Sequence, residues 1–134
     1  MIRALGGNDL VEGLGGKDKL FGQGGRDEIY GGGGRDLLKG GGGNDYLVGG
    51  KGNDKIFGGA GKDVFVFKKG DGSDTIRDFD LLRDTFFISK GVSSFSDLTF
   101  EARLGGTAFA FGNVNVFVKD VAKAELEDAD LFLF

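Results

Sequence analysis

The chain contains no cysteine, histidine, proline or tryptophan. Without cysteine there is no disulfide framework and no thiolate metal site. Without histidine there is no imidazole-ligated zinc, and no triad or general base built on that ring. Basic residues are in the minority, 17 Lys and Arg against 21 Asp and Glu, for a formal net charge of −4. A dedicated nucleic-acid binder is expected to be basic instead. No apolar run approaches the ~20 residues of a membrane-spanning helix. Met1-Ile2-Arg3 passes straight into glycine-rich sequence, so no signal peptide is expected at this N-terminus. A length of 134 residues allows one domain or a tightly fused pair.

What is abundant is glycine, with 28 residues, about three times ordinary usage. Residues 1–63 hold 22 of them, whereas residues 64–134 hold 12 of the 14 phenylalanines. Two compositions therefore meet near Asp63. A flexible linker would explain glycine alone, but linkers carry no strict period. Here Asp9, Asp18, Asp27, Asp36, Asp45, Asp54 and Asp63 recur every nine residues without a slip. Two positions after each stands an apolar residue: Val11, Leu20, Ile29, Leu38, Leu47, Ile56 and Phe65. The unit is G-G-x-G-x-D-x-U-x, with U large and apolar. A short exact period of this kind belongs to coiled, repeat-built architectures.

The three residues x-U-x suffice only for a brief strand, and strand alternation turns U inward. The six residues G-G-x-G-x-D must reverse the chain, and glycine there tolerates positive φ and lets carbonyls converge. Two units make one coil of 18 residues, which stacks Asp9, Asp27, Asp45 and Asp63 on one edge and Asp18, Asp36 and Asp54 on the other. Carboxylates about 4.8 Å apart repel strongly, so a cation is needed between them. A hard divalent ion that takes carboxylate and carbonyl oxygens matches the ligand set of calcium, and magnesium fits less well.

Other glycine motifs do not fit. Each turn ends in Asp where a dinucleotide fingerprint needs Gly, and Gly61-Lys62 is followed by Asp63 where a phosphate loop needs Ser or Thr. Asp78-Phe79-Asp80 starts like an EF-hand but lacks the required Gly and the distal Glu. These two acids are read as turn residues or outer ligands. The repeat already accounts for the aspartates, so no catalytic carboxylate pair and no enzymatic activity is expected.

The repeats resemble the repeats-in-toxin (RTX) family of haemolysin-type calcium-binding repeats. Gly70-Asp71-Gly72-Ser73-Asp74-Thr75-Ile76-Arg77-Asp78-Phe79 is similar to the segment that follows the roll in serralysin-type exoproteases. The ending Asp130-Leu131-Phe132-Leu133-Phe134 is similar to the acidic-then-aromatic tails of such secreted proteins. The resemblance implies an all-β, right-handed parallel β-roll over residues 1–66 with a β-rich C-terminal cap over 67–134. It implies ions bridged by loops 18 residues apart, at Asp9/Asp27, Asp27/Asp45, Asp45/Asp63, Asp18/Asp36 and Asp36/Asp54. A sixth site would join the Asp54 loop to Asp74, although strict spacing puts Gly72 there. The carbonyl ligands carried over are those of Gly13, Gly15, Gly22, Gly24, Gly31, Gly33, Gly40, Gly42, Gly49, Lys51, Gly58 and Ala60. The first unit lacks its leading glycines and the second has Leu14 at a glycine position, so the N-terminal sites are expected to be weakest. The roll is expected to begin further upstream in a longer parent.

Beyond the repeats, Val64–Phe67, Thr85–Ile88, Leu98–Ala102, Ala108–Phe111 and Val114–Val118 read as strands. Gly105-Gly106 is a candidate hairpin turn, and Val121–Glu127 a helical turn or two. The phenylalanines are expected to cover the open end of the roll. Leu131–Phe134 is read as a last strand or as an export signal.

Outward strand positions differ between the two faces. One carries Lys19, Phe21, Leu37, Lys39, Lys55 and Phe57; the other carries Leu10, Glu12, Glu28, Tyr30, Tyr46, Val48, Val64 and Val66. The expected function is a calcium-triggered folding and type I secretion module of a larger bacterial exoprotein, extracellular, with an N-terminal catalytic domain as possible partner. The alternative is a module that binds an anionic polysaccharide through Lys19, Phe21, Lys39, Lys55 and Phe57.

Overall fold

The computed structural model describes residues 1–134. Two sheets face each other, and the chain passes from one to the other at every nonapeptide. The first sheet is laid down by β1 (Ile2–Arg3), β4 (Lys19–Gly24), β6 (Leu37–Gly42), β8 (Lys55–Ala60) and β10 (Ser73–Ile76). The second is laid down by β2 (Leu10–Glu12) and β3 (Gly15–Gly16), then β5 (Glu28–Gly34), β7 (Tyr46–Gly52), β9 (Val64–Lys68) and β11 (Thr85–Lys90). All these pairings are parallel, as a coil that always advances in one direction requires.

The register is one coil per step. Leu20 pairs with Leu38 and Leu38 with Ile56; Val11 pairs with Ile29, Ile29 with Leu47 and Leu47 with Phe65. These U positions are buried and fill the space between the sheets. The strands are longer than the expected x-U-x, six or seven residues in β4 to β8. The reason is that the first glycines of each turn also pair with the next coil, as in Gly32 with Gly50 and Gly41 with Gly59.

Both sheets run on past the repeats. β10 pairs with β14 (Val114–Lys119), which carries an antiparallel meander of β13 (Gly106–Phe111) and β12 (Thr99–Arg103). β11 pairs with β15 (Phe132–Leu133), so the end of the chain is a strand, and α1 (Lys123–Leu126) is a single turn. β10 itself, within the Gly70–Phe79 segment, is a strand the apolar patterns did not mark. No helix among the described residues is long and apolar enough to cross a membrane.

The cap is built on phenylalanine. Phe86 stacks on Phe79 at 4.2 Å between centroids, on Phe132 at 5.0 Å, and meets Phe109 edge-on at 4.9 Å. Phe65 belongs to the last repeat and lies 6.1 Å from the Phe86 centroid, which joins the roll core to the cap core. Phe86→Ala should therefore cost roughly 3–5 kcal/mol in urea unfolding at saturating calcium. A loss below about 1 kcal/mol, outside the range for truncating a buried ring, would show that Phe86 does not anchor the cap.

Candidate metal centre

Every turn ends in an aspartate whose backbone and side chain do different work. The Asp9 amide donates to Asp27 Oδ1 at 2.9 Å, Asp27 to Asp45 at 2.9 Å and Asp45 to Asp63 at 2.9 Å. On the other edge Asp18 donates to Asp36 at 2.7 Å, Asp36 to Asp54 at 2.7 Å and Asp54 to Asp74 at 2.9 Å. One carboxylate oxygen per aspartate, two per coil, is thus spent on the coil before it. The other oxygen, Oδ2 of Asp27, Asp36, Asp45, Asp54, Asp63 and Asp74, is buried and has no partner, and neither has Asp71 Oδ1. Asp9 and Asp18, in the first two turns, are only half-buried.

A buried carboxylate oxygen without a donor costs more than any single hydrogen bond returns. The carboxyls register that cost. Burial pushes Asp54 and Asp63 up to about 6, and the stacked charges of Asp36 on Asp54 and of Asp84 and Asp45 on Asp63 act in the same direction. Asp74 is pushed up to about 8, again mainly by burial, with Asp54 and Asp71 adding to it. Asp36 and Asp45 are raised for the same reasons.

The orphan oxygens point into space that only glycine leaves. A Cβ on Gly13 would lie 2.5 Å from the Gly31 carbonyl and 3.2 Å from Asp18 Oδ2. On Gly22 it would lie 2.7 Å from the Gly40 carbonyl and against the Asp27 carboxylate. On Gly31 it would meet Asp36 Oδ2 at 2.8 Å and the Gly49 carbonyl, and on Gly40 the Gly58 carbonyl at 2.5 Å and the Asp45 carboxylate. At four turns, then, a carboxylate oxygen and a carbonyl of the following coil face one small cradle. No three acidic side chains converge among the described residues, so carbonyls have to complete any cation site. An all-oxygen donor set of carboxylate and carbonyl suits calcium.

The sequence-derived candidates fall into two groups. Gly13, Gly22, Gly31, Gly40, Gly49 and Gly58 open their turns, each beside the aspartate of its own turn. Gly15, Gly24, Gly33, Gly42, Lys51 and Ala60 lie further round, in the coil-to-coil ladder. There the carbonyls of Gly24, Gly42 and Ala60 accept from the amides of Gly7, Gly25 and Gly43, leaving each one further lone pair.

Three acids escaped the periodicity. Asp84 continues the Asp63 edge, for its Oδ1 accepts the Asp63 amide at 2.9 Å. Asp84-Thr85-Phe86 repeats D-x-U but comes three residues late for an 18-residue step, which is why counting missed it. Asp78 closes the same turn and accepts from the amides of Gly58 at 2.9 Å and Gly59 at 3.1 Å. Asp71 is buried beside the Asp54–Asp74 pair.

The first sheet also organises its outward cations. Arg3 stacks over Phe21 at 5.2 Å, and Lys39 lies 6.0 Å from Phe21 and 4.9 Å from Phe57. The row continues to Arg77, whose amide donates to the Ile56 carbonyl, and to Lys119 one residue beyond the Ile76–Val118 pair. The parallel row holds Lys19, Leu37 and Lys55 in register. An open groove of about 240 Å³ beside it is lined by Lys17, Lys19, Arg35 and Lys55 with Asp18, Asp36 and Leu37.

The cradle yields a paired prediction. Gly31→Ala fills the space between Asp36 and the Gly49 carbonyl, and should remove at least one ion from a calcium titration. Gly33→Ala meets nothing within 4 Å, and should leave the stoichiometry intact while changing stability by no more than about +0.4 to +1 kcal/mol. Equal titrations for the two variants would sink the cradle.

Comparison with known proteins agrees with this geometry. Residues 3–38 and 39–76 match the family model described as the RTX calcium-binding nonapeptide repeat (4 copies). No curated protein matches. Among solved structures, the AlgE6R3 subunit of the Azotobacter vinelandii mannuronan C5-epimerase is 31% identical, with a TM-score of 0.64 over 94% of this chain and 79% of that one. The AlgE6R2 subunit of the same enzyme is 25% identical, with a TM-score of 0.56 over 93% of this chain and 91% of its own. The extracellular lipase LipA of Serratia marcescens, 22% identical with a TM-score of 0.58, shares the fold; the match covers 98% of this chain but 20% of the lipase. With its nonapeptides matched over more than half its length and its aspartates stacked coil on coil, the chain belongs to the RTX family of calcium-binding β-roll repeats.

Proposed function

We propose that this chain is a non-catalytic module that is disordered at cytosolic calcium and folds outside the cell as its aspartate rows take up about five or six Ca²⁺. It serves as the C-terminal folding and type I secretion domain of a larger bacterial exoprotein. The observation that carries the reading is the set of buried, unpartnered carboxylate oxygens in two stacked rows. Such rows oppose folding until cations neutralise them. Glycine is the costliest residue to order, and each nonapeptide buries one large apolar side chain to offset it. Extracellular calcium modules bind with a Kd of roughly 10⁻⁴–10⁻³ M, so export into millimolar calcium converts binding free energy into folding free energy.

In this reading residues 1–66 are the calcium-responsive roll and 67–134 the cap. An export channel requires an unfolded chain, and absent cysteine avoids oxidative traps. The tail has two uses in sequence: it is free to be recognised while the chain is unfolded, and Phe132–Leu133 pairs as a strand afterwards. Far-UV circular dichroism should give coil in excess chelator and β-structure in millimolar calcium. A fully folded repeat region in chelator would refute the proposal.

A second reading, an anionic-polysaccharide module, is favoured by the cation–aromatic rows of the first sheet and by the likeness to subunits of a mannuronan epimerase. Five bound divalent ions would take the formal charge from −4 to +6, two charges per ion, so the folded form would attract a polyanion. Alginate oligomers titrated into the calcium form should give heat that is lost when Lys39 and Lys55 are both changed to Glu. No heat with the parent chain would end this reading.

A further inference from the structure

We propose that the groove between β10, β14 and β12, on the outer face of the first sheet, is a subsite for one anionic sugar unit. Phe117 stacks on the sugar ring, Ser73, Thr75 and Asn115 bond its hydroxyls, and Arg103 takes its carboxylate. This rests on the polysaccharide reading above and carries it past the lysine rows into the cap.

Strand alternation and register build the groove. β10 turns Asp74 and Ile76 inward and leaves Ser73 and Thr75 outward. β14 sets Asn115 beside Ser73 and Phe117 beside Thr75. The next strand, β13, offers only small outward residues there, with Ala110 opposite Asn115, Ala108 opposite Phe117 and Gly106 opposite Lys119. Phe117 leans across this trough: a Cβ on Gly106 would lie 3.0 Å from its Cζ, and Ala108 is 3% exposed. β12 raises the far wall, with Glu101 opposite Ala108 and Arg103 opposite Gly106. The space left is an open groove of about 360 Å³ lined by Ser73, Asp74, Thr75, Arg103, Asn115 and Phe117.

The lining groups are free to meet a ligand. Thr75 and Asn115 commit their amides to the carbonyls of Asp54 and Gly72, each at 2.9 Å. The side chains of Ser73, Thr75 and Asn115 hold no hydrogen bond among the described residues; that of Thr99, nearby on β12, goes to the Ala110 carbonyl. Arg103 gives Nε and Nη2 to Glu101 Oε2 at 3.0 and 2.8 Å. That pair holds the guanidinium in place and leaves Nη1 for a carboxylate. Asp74 does not oppose an anion here, since it is 2% exposed and its Oδ1 accepts the Asp54 amide.

This set of groups suits a sugar. The C–H face of a pyranose lies well on the negative face of an aromatic ring. Hydroxyls and an amide both donate and accept, as sugar hydroxyls do. An apolar ligand would leave the same groups unpaired at a cost.

Position ties the groove to the cations. Lys19, Leu37, Lys55, Thr75 and Phe117 form one unbroken row across five strands, ~19 Å from end to end at one strand spacing per step. The basic groove lies beside the lysines of this row, and the aromatic groove ends it. A linear polyanion laid along the row meets ammonium groups first and a stacking platform last.

The test is calorimetric titration of alginate oligomers into the calcium form of the full chain, for the parent, Phe117→Leu, Asn115→Ala, Arg103→Gln and Lys90→Gln. Leucine keeps an apolar cover over Ala108 but has no ring face. Asn115 is exposed, so Asn115→Ala keeps the subsite testable if Phe117→Leu loses its calcium-induced circular dichroism. Lys90, exposed at the end of β11 in the second sheet, controls for net charge. Phe117→Leu, Asn115→Ala and Arg103→Gln should each weaken binding by at least about fivefold, and Lys90→Gln should leave it unchanged. Parent-like affinity in all three groove variants overturns the subsite, even where the Lys39 and Lys55 double change abolishes binding. Equal weakening by Lys90→Gln and Arg103→Gln, with Phe117→Leu and Asn115→Ala at parent affinity, overturns it too, because charge alone is then at work. A parent chain that gives no heat ends the polysaccharide reading, and the subsite with it.

Discussion

One carboxylate oxygen per buried aspartate with nothing to bond to is the constraint on which the rest of this structure depends. The first oxygen of each aspartate is committed to the amide of the coil before it, at 2.7–2.9 Å. That bond sets the coil spacing and forces the next carboxylate into line above it. The second oxygen is then carried into a buried place by the same geometry. Neither row can be relaxed locally, because moving one aspartate breaks the amide contact to the next. The fold thus concentrates an electrostatic penalty that bound cations or protonation relieve, and it does so at fixed positions beside carbonyls.

Glycine follows from this arrangement, and flexibility is not its purpose. The opening glycine of each turn is needed for what it leaves empty, since a Cβ there would occupy the cradle. The second position needs glycine for another reason. Gly32, Gly41, Gly50 and Gly59 have φ between 91° and 121°, and a Cβ on each would press on a carbonyl of the preceding coil. Leu14 and Gln23 hold the same position with φ of 68° and 80°. Leu14 is 77% exposed, and Gln23 Nε2 donates to the Ala4 carbonyl.

How much of this was legible in the sequence depended on whether the period held. Where Asp and U recur every nine residues, the inward side chains, the two edges and the pairing across 18 residues follow from counting, and the ladder has that register. Beyond Asp63 the count fails by two residues at Asp74 and three at Asp84. The stacking itself continues, for both carboxylates accept the amide of the aspartate beneath. Insertions in the turn change the sequence separation while leaving the amide-to-carboxylate bond unchanged. Asp71 was hidden for a different reason: its burial comes from the Gly52–Gly72 contact, a long-range event that no local pattern announces. The strands of the cap were readable from their apolar residues, but their order was not. β14, the last strand of the meander, is the one that joins β10 in parallel, and it continues an open sheet edge there.

The two ends of the roll are unequal, and the inequality gives the coils a direction. At one end Phe65 is packed against Phe79 and Phe86, so the final repeat shares its core with residues that need no ion. At the other, Leu5, Leu10 and Leu14 are 64–77% exposed and the first aspartates are half open to water. In a stack where each coil contacts only its neighbours, stability is a sum of unit and interface terms. A coil laid against the phenylalanine cap gains an interface at once. One formed at the far end gains nothing until its neighbour is in place. The carboxylates nearest the cap are also the most strongly raised, with Asp74 above Asp54 and Asp63. Electrostatic demand for a cation and apolar support for a coil therefore peak at the same boundary, and order has most to gain by spreading from there toward the open end.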